Sequence, residues 1–405
     1  MRRIDVAERR ARLGTRHRLA AETRADDPVE VARSLVALHS TDPASVYVAA
    51  WARMNGGSVA DVERALYQDR SLVRLLAMRR TVFVTTPDAA PVVQAACSDA
   101  VAARERRKLL GFLAASEVAD DEQGVREWLA ATEDIAVRAL AARGESTASE
   151  LADDDPRLST PVTIVTGKEP YATQKAASRL LLLLAAEGRV VRGRPRGTWT
   201  SHQYRWAPLT DWLPGGLEPW DTRRAEEELA RRWLRAFGPA TADDLQWWAG
   251  WTKTQVKRVL AALKPVQVDL GDGGTGLLLP DDLEETAPPE PWAALLPGLD
   301  STPMGWHQRE WFLGEHGPRL FDRAGNIGPS LWWNGRIVGG WAQDADGAIV
   351  CRFLEDVGAA AEAAVRAEAE RLAVPLGGVR LSARTRGRTW LEEELAGQSP
   401  RAGKG

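Results

Sequence analysis

Lysine is scarce in this chain. It supplies only 7 of the 53 basic residues and is missing from the first 100 positions. An arginine-dominated set fits a GC-rich coding sequence. The missing N-terminal lysine also removes the usual amine for Schiff-base chemistry from that region. Cysteine is nearly absent: Cys97 and Cys351 lie far apart, with neither metal-ligand spacing nor a disulfide framework, so a reducing compartment fits. No metal site and no cofactor is expected. The longest apolar run, Leu180 to Ala186, falls far short of the roughly 20 residues a membrane span needs. The start, Met1-Arg2-Arg3-Ile4-Asp5, has no apolar signal core. These absences predict a soluble cytoplasmic protein with no membrane partner. Charge of one sign is lacking too. A net charge of −3 argues against a histone-like binder, yet leaves room for a local basic face.

At 405 residues, with about 150 per domain, two to four domains are expected. The 44% hydrophobic and 27% charged content suits ordinary cores. Tryptophan is abundant at 17 residues. The pairs Trp247-Trp248 and Trp332-Trp333 read more readily as packing than as base-stacking platforms, although both are physically open.

Along the chain one pattern of three helices then a hairpin recurs. Asp27-Pro28-Val29-Glu30 starts a helix whose stripe of Val31, Leu35 and Leu38 runs to His39. Asp42-Pro43 starts a second helix, ended by Gly56-Gly57, and Ser58 to Asp61 caps a third. Leu72 to Met78 and Thr81 to Thr85 read as wing strands around Arg79-Arg80. Residues 90–122 read as a helical connector. In the next unit, Thr147 to Glu150 is a capping box, and a polar loop leads to a helix from about Ala172 to Glu187. Its apolar face is Ala177, Leu180, Leu181 and Leu184; Gln174, Lys175, Ser178 and Arg179 form the polar face. Arg189 to Trp199 reads as a hairpin with an arginine-studded turn, carrying Arg192, Arg194 and Arg196. Between Tyr171 and Trp206 seven Lys/Arg face one acid, Glu187. A third unit has helices from Thr222 to Phe237, from Thr241 to Gly250 and from Thr252 to Leu263. Its last two form a helix-turn-helix with Lys253, Lys257 and Arg258 exposed. A wing follows, with a glycine tip at Gly271 to Gly276.

Residues 281–291 form an acidic, proline-rich linker. Beyond it, strands meet at Asn334-Gly335, a two-residue hairpin turn. A turn at Asp344 to Gly347, a helix near 358–373 and a short strand near Val379 to Ala383 complete the region. The fold class expected is mainly α with β (α+β): three tandem winged helices and a small β-barrel-like C-terminal domain. The boundaries are 1–122 for the first winged helix plus connector, 123–212 for the second, 213–285 for the third and 286–405 for the last.

Three features together resemble the bacterial winged-helix DNA glycosylases, the AlkZ/YcaQ-like family. They are Leu38-His39-Ser40-Thr41-Asp42-Pro43, the tandem winged helices, and Leu295-Leu296-Pro297-Gly298-Leu299-Asp300 with Met304-Gly305-Trp306. The resemblance covers nearly the whole chain. It implies a DNA repair hydrolase that removes bulky alkylated purines or unhooks interstrand crosslinks. Well-studied members carry Gln, an aliphatic or small residue, then Gln or Asp at this corner. Here His39, Ser40 and Thr41 stand at those positions, with Asp42 one step beyond.

Hydrolysis of an alkylated nucleoside needs a held water and a partner for a cationic sugar. His39 could place or deprotonate the water, Thr41 could hydrogen-bond it, and Asp42 could stabilise the cation. With no nearby lysine, a monofunctional glycosylase is the natural version. Structural duties compete: Asp42 before Pro43 is a good N-cap, His39 could satisfy a free carbonyl at a helix end, and Thr41 could be a turn residue. Gln174, Lys175, Arg179, Arg192, Arg194, Arg196, Lys253, Lys257 and Arg258 suit phosphate contacts, with the second unit's arginines favoured over the third unit's helix. The partner expected is double-stranded DNA, bound by a monomer. The alternative is a non-catalytic winged-helix DNA-binding protein or transcription regulator on the same scaffold.

Overall fold

The computed structural model describes residues 1–166, 169–271, 274–381 and 387–397. In the first unit, Asp27 accepts from the amides of Val29 and Glu30 and starts the helix Pro28–Ser34. The apolar spacing predicted a helix continuing to His39. Instead Val36 turns the chain at a positive φ of 65°, and Leu38–His39 becomes a short strand. His39 pairs with Phe83, and Leu38 with Val84, in a three-stranded antiparallel sheet with Val73–Leu76 and Val82–Thr85. The wing is as expected, with Arg79 and Arg80 at its turn, both at positive φ. Leu35 to Leu38 are buried, so this apolar stretch serves a strand in the core rather than one helical face.

In the second unit the expected polar loop is a hairpin, Pro161–Thr166 with Glu169–Lys175. The helix begins only at Ala176 and runs to Ala186, with Ala177, Leu180, Leu181 and Leu184 buried as predicted. A second hairpin joins Val190–Pro195 to Tyr204–Pro208. The third unit follows its sequence closely: helices Thr222–Phe237, Ala242–Ala249 and Lys253–Leu263, the last two with complete capping boxes at Thr241/Asp244 and Thr252/Gln255. Gly250 takes the left-handed conformation that ends the middle helix. Val266–Asp269 and Thr275–Leu278 form the wing; the tip at Asp272-Gly273 lies outside the described residues.

The C-terminal sheet is an antiparallel meander of Ala293–Leu296, Ser330–Trp333, Arg336–Gln343 and Ile349–Phe353. The outer strands do not pair with each other among the described residues, so the α+β fold ends in an open sheet and not in a barrel. The helix Gly358–Leu376 packs on the strand Ala293–Leu296. Val379 to Leu381 carries no strand, and the rest of that expected strand lies outside the described residues. One apolar core unites the first unit, the third unit and this sheet, whereas most of the second unit has its own. The shared core contains a fully buried ion pair: Arg53 grips Asp300 with two bonds of 2.6 and 2.9 Å. Arg53 also donates to Thr302 Oγ1, the Ala49 carbonyl and the His17 carbonyl. Those bonds satisfy the guanidinium that burial would otherwise penalise. Trp248 and Trp332 are buried in this core.

Candidate active site

The corner sits where Leu38–His39 passes into the helix Pro43–Trp51. Asp42 caps that helix, accepting from the Ala44 amide at 3.3 Å, with Ser45 Oγ at 3.5 Å. The C-terminal segment pins the corner from behind. Ser301 Oγ accepts from the His39 amide (3.1 Å) and donates to the Ala37 carbonyl (2.9 Å), and Ser45 Oγ donates to the Gly298 carbonyl (2.9 Å). Ser40 is buried; its hydroxyl accepts from Arg74 Nε at 3.1 Å.

His39, Thr41 and Asp42 line one cleft of about 560 Å³. Its other walls come from the wing of the first unit (Arg79, Arg80), the second unit (Leu182, Arg192), and the C-terminal part (Asp322, Asn326). That volume lies in the range of small-molecule sites, about 300–1,000 Å³. Asp322 anchors its own turn, accepting from the amides of Ala324 and Asn326 and from Asn326 Nδ2.

His39 is 6% exposed. Burial, then the nearby Arg79 charge, lower its pKa from 6.5 to about 3. It is therefore neutral at physiological pH and a weak base. Its Nδ1 accepts from the Thr41 amide at 3.5 Å, which puts the ring proton on Nε2. Phe83 holds the ring edge-on at 5.3 Å. Thr41 is exposed. Arg80 forms a two-bond pair with Glu105 at 2.7 and 2.9 Å. Among the described residues Arg79 pairs with no carboxylate but lies 4.0 Å from the Trp247 ring, with Arg309 at 4.5 Å. Burial, then Arg309, lower the Arg79 pKa to about 10. Trp247 thus carries cations rather than presenting a free face.

The predicted DNA-contact residues scatter. Arg192 joins the catalytic candidates in the cleft. Arg194 is tied to Glu63 at 2.5 Å and stacks on Tyr67, and Arg196 is exposed beyond the strand end. Gln174 and Lys175 are not on the helix: they lie on a strand paired with Val162 and Pro161. Arg179 is on the helix, its guanidinium 5.8 Å from the Phe112 ring. Arg258 is neutralised by Glu226 from the neighbouring helix, while Lys253 and Lys257 are exposed. Arg74, Arg79, Ser301, Asp322 and Asn326 were not predicted for the site. Asp300 stood in the C-terminal segment singled out from the sequence, but nothing local said that Ser301 beside it would reach the corner. Among the described residues no cluster of His, Cys, Asp and Glu could hold a metal ion.

A family profile described as "DNA glycosylase AlkZ-like" matches residues 32–374. The chain belongs to the AlkZ-like DNA glycosylase family. Membership makes it a hydrolase of N-glycosyl bonds in DNA and a repair enzyme. Among solved structures, the DNA glycosylase AlkZ of Streptomyces sahachiroi superposes with a TM-score of 0.70 at 20% identity, covering 94% of this chain and 99% of that one. This likeness speaks for the fold. No curated protein matches. Among the described residues no helix is long and apolar enough to cross a membrane.

Proposed function

We propose that this AlkZ-like glycosylase works on bulky alkylated purines or interstrand crosslinks in double-stranded DNA, as a monomeric, monofunctional enzyme of the cytoplasm. We read four units in it, 1–122, 123–212, 213–285 and 286–405. The observation that carries the site assignment is that His39, Thr41 and Asp42 share one cleft with Arg79, Arg80 and Arg192.

An N7-alkylated purine already carries positive charge, so the C1′–N9 bond breaks with its electron pair going to the base. The sugar left behind is cationic and adds water at C1′. Asp42 supplies the negative charge beside that cation and receives the proton of the attacking water. His39 serves differently from a general base. Being neutral, with its proton on Nε2, it donates to the water oxygen and orients it, and the Thr41 hydroxyl completes the grip. Asp42 combines this with helix capping, because one carboxylate has several lone pairs. Lys253, Lys257 and Arg196 remain as exposed phosphate contacts along the flanking duplex.

The test is base release from duplex DNA carrying an N7-alkylguanine, or loss of a crosslink, followed by chromatography. Release by the wild type that falls to background in Asp42→Asn is the expected result. Equal release by wild type, Asp42→Asn and His39→Ala overturns the site. No release from either substrate class overturns the lesion assignment.

A further inference from the structure

Behind the cleft lies a pair of arginines without a counter-ion. Arg74 is 3% exposed and Arg192 is half-buried. Neither makes an ion pair with a carboxylate among the described residues. Arg74 spends Nε on Ser40 and Nη1 on the Tyr67 hydroxyl (2.8 Å), while its buried Nη2 has no hydrogen-bond partner. Aromatic faces take part of the charge: Arg74 lies 5.4 Å from Tyr67 and 5.2 Å from Tyr204, and Arg192 lies 5.3 Å from Tyr204 and 5.2 Å from Trp206. Burial lowers the Arg192 pKa, Tyr204 opposes that, and Arg74 lowers it further. A buried cation with an idle donor, beside a second half-buried one, is costly unless an anion meets them.

The geometry shows where the anion enters. Arg74 and Arg192 line a recess of about 10 Å³ with Leu76, Val82 and Leu182. Those last three and Arg192 also line the cleft, so the recess opens off it. Its size suits about one oxygen atom. We propose that Arg74 and Arg192 form a phosphodiester site: one non-bridging oxygen of a DNA backbone phosphate next to the damaged nucleotide enters the recess, and the rest of that phosphate lies in the cleft. This inference rests on the glycosylase reading of the same cleft. It gives Arg192 a specific partner and adds Arg74 to the DNA-binding set. Because Arg74 also holds Ser40 between His39 and Thr41, a seated phosphate ties the position of the damaged sugar to the corner.

The experiment is a neutral-phosphate scan. Duplexes with a tetrahydrofuran abasic analogue receive a single methylphosphonate at each backbone position near it, and binding to the wild-type protein is measured at fixed salt. One position is expected to weaken binding about tenfold, as the loss of a charge-assisted contact should. In Arg192→Met, folding checked by melting, the same position should lose its effect while the others keep theirs. An even, shallow profile in wild type overturns the site, and so does a sensitive position that stays sensitive in Arg192→Met. The readout is binding, so it separates from the glycosylase reading. A sensitive phosphate with no base release leaves this site standing and removes the lesion assignment; base release with a flat scan does the reverse.

Discussion

Two histidines sit at similar depth in this protein and are held in different ways. His17 follows the helix Val6–Arg16 and is fully buried. Its Nδ1 meets Thr302 Oγ1 at 2.8 Å and its Nε2 meets the Ala236 carbonyl at 3.1 Å. The Phe237 and Trp306 rings enclose it at 4.7 and 5.6 Å. His39 is buried almost as deeply, yet has one weak acceptor bond and a wall of the cleft. Both have pKa values lowered to about 3, by burial first and then by an arginine, Arg53 for His17 and Arg79 for His39. A perturbed pKa therefore does not mark the active site here. What separates the two is satisfaction: His17 has both ring nitrogens engaged inside the core, and His39 has one weak bond at a wall of the cleft.

The comparison breaks hardest at the pair supporting the His17 side. Asp300→Ala strands the Arg53 charge in the core and should cost about 3–5 kcal/mol of stability, read as a lower denaturation midpoint. Asp300→Ala with a wild-type midpoint would show that Arg53 escapes to water. Next, His39→Ala should lower base release on the order of a hundredfold with little change in melting, while His17→Ala should do the reverse, losing about 2 kcal/mol with activity per folded molecule kept. Matched losses of activity in both variants would erase the distinction.

Acid sharpens it further. A neutral buried histidine binds fewer protons than its unfolded form, so its stabilising contribution is full above about pH 6.5 and is lost as pH falls towards 3. Each contributes a slope of up to about 1.4 kcal/mol per pH unit in that window. Replacing His17 or His39 by Gln should remove about half of the slope they share, seen by denaturant titration between pH 6.5 and 4. An unchanged slope in either variant means that histidine is protonated in the fold. The smallest effect belongs to Thr41→Val. The hydroxyl is exposed and helps to hold water, so base release should fall less than about tenfold with no change in melting; a larger loss would move the main role from His39 to Thr41.

How much of this was legible depended on distance along the chain. The third unit was readable because its signals are local: Thr241 and Thr252 each meet their capping partner three residues on, and Gly250 stops the turn between. The start of the second unit's helix was misplaced by four residues. Ala172 to Lys175 carry helix-compatible residues, but their backbone is spent on Pro161 to Ile164, a pairing that no local periodicity announces. His39 was placed at a helix end for a related reason: Val31, Leu35 and Leu38 keep helical spacing across the turn at Val36. The corner itself stood out as a polar cluster between apolar runs, and the cleft gathers it with Arg192 but not with Arg194 or Arg196. Its walls at Arg79, Asp322 and Asn326, and the arginine under Ser40, come from strand pairing and tertiary packing.

Ser301 reaches the His39 amide across 262 positions of sequence. On a ribosome adding about 5–20 residues per second, the corner emerges roughly ten to fifty seconds before its clamp exists. Through that interval Arg53 has no Asp300, and the wall carrying Asp322 has not been made. The nascent first unit holds the corner without its clamp and with only part of its cleft. Completion of the chain is what closes the cleft around the corner, so a fragment stalled before the C-terminal sheet carries an unfinished one.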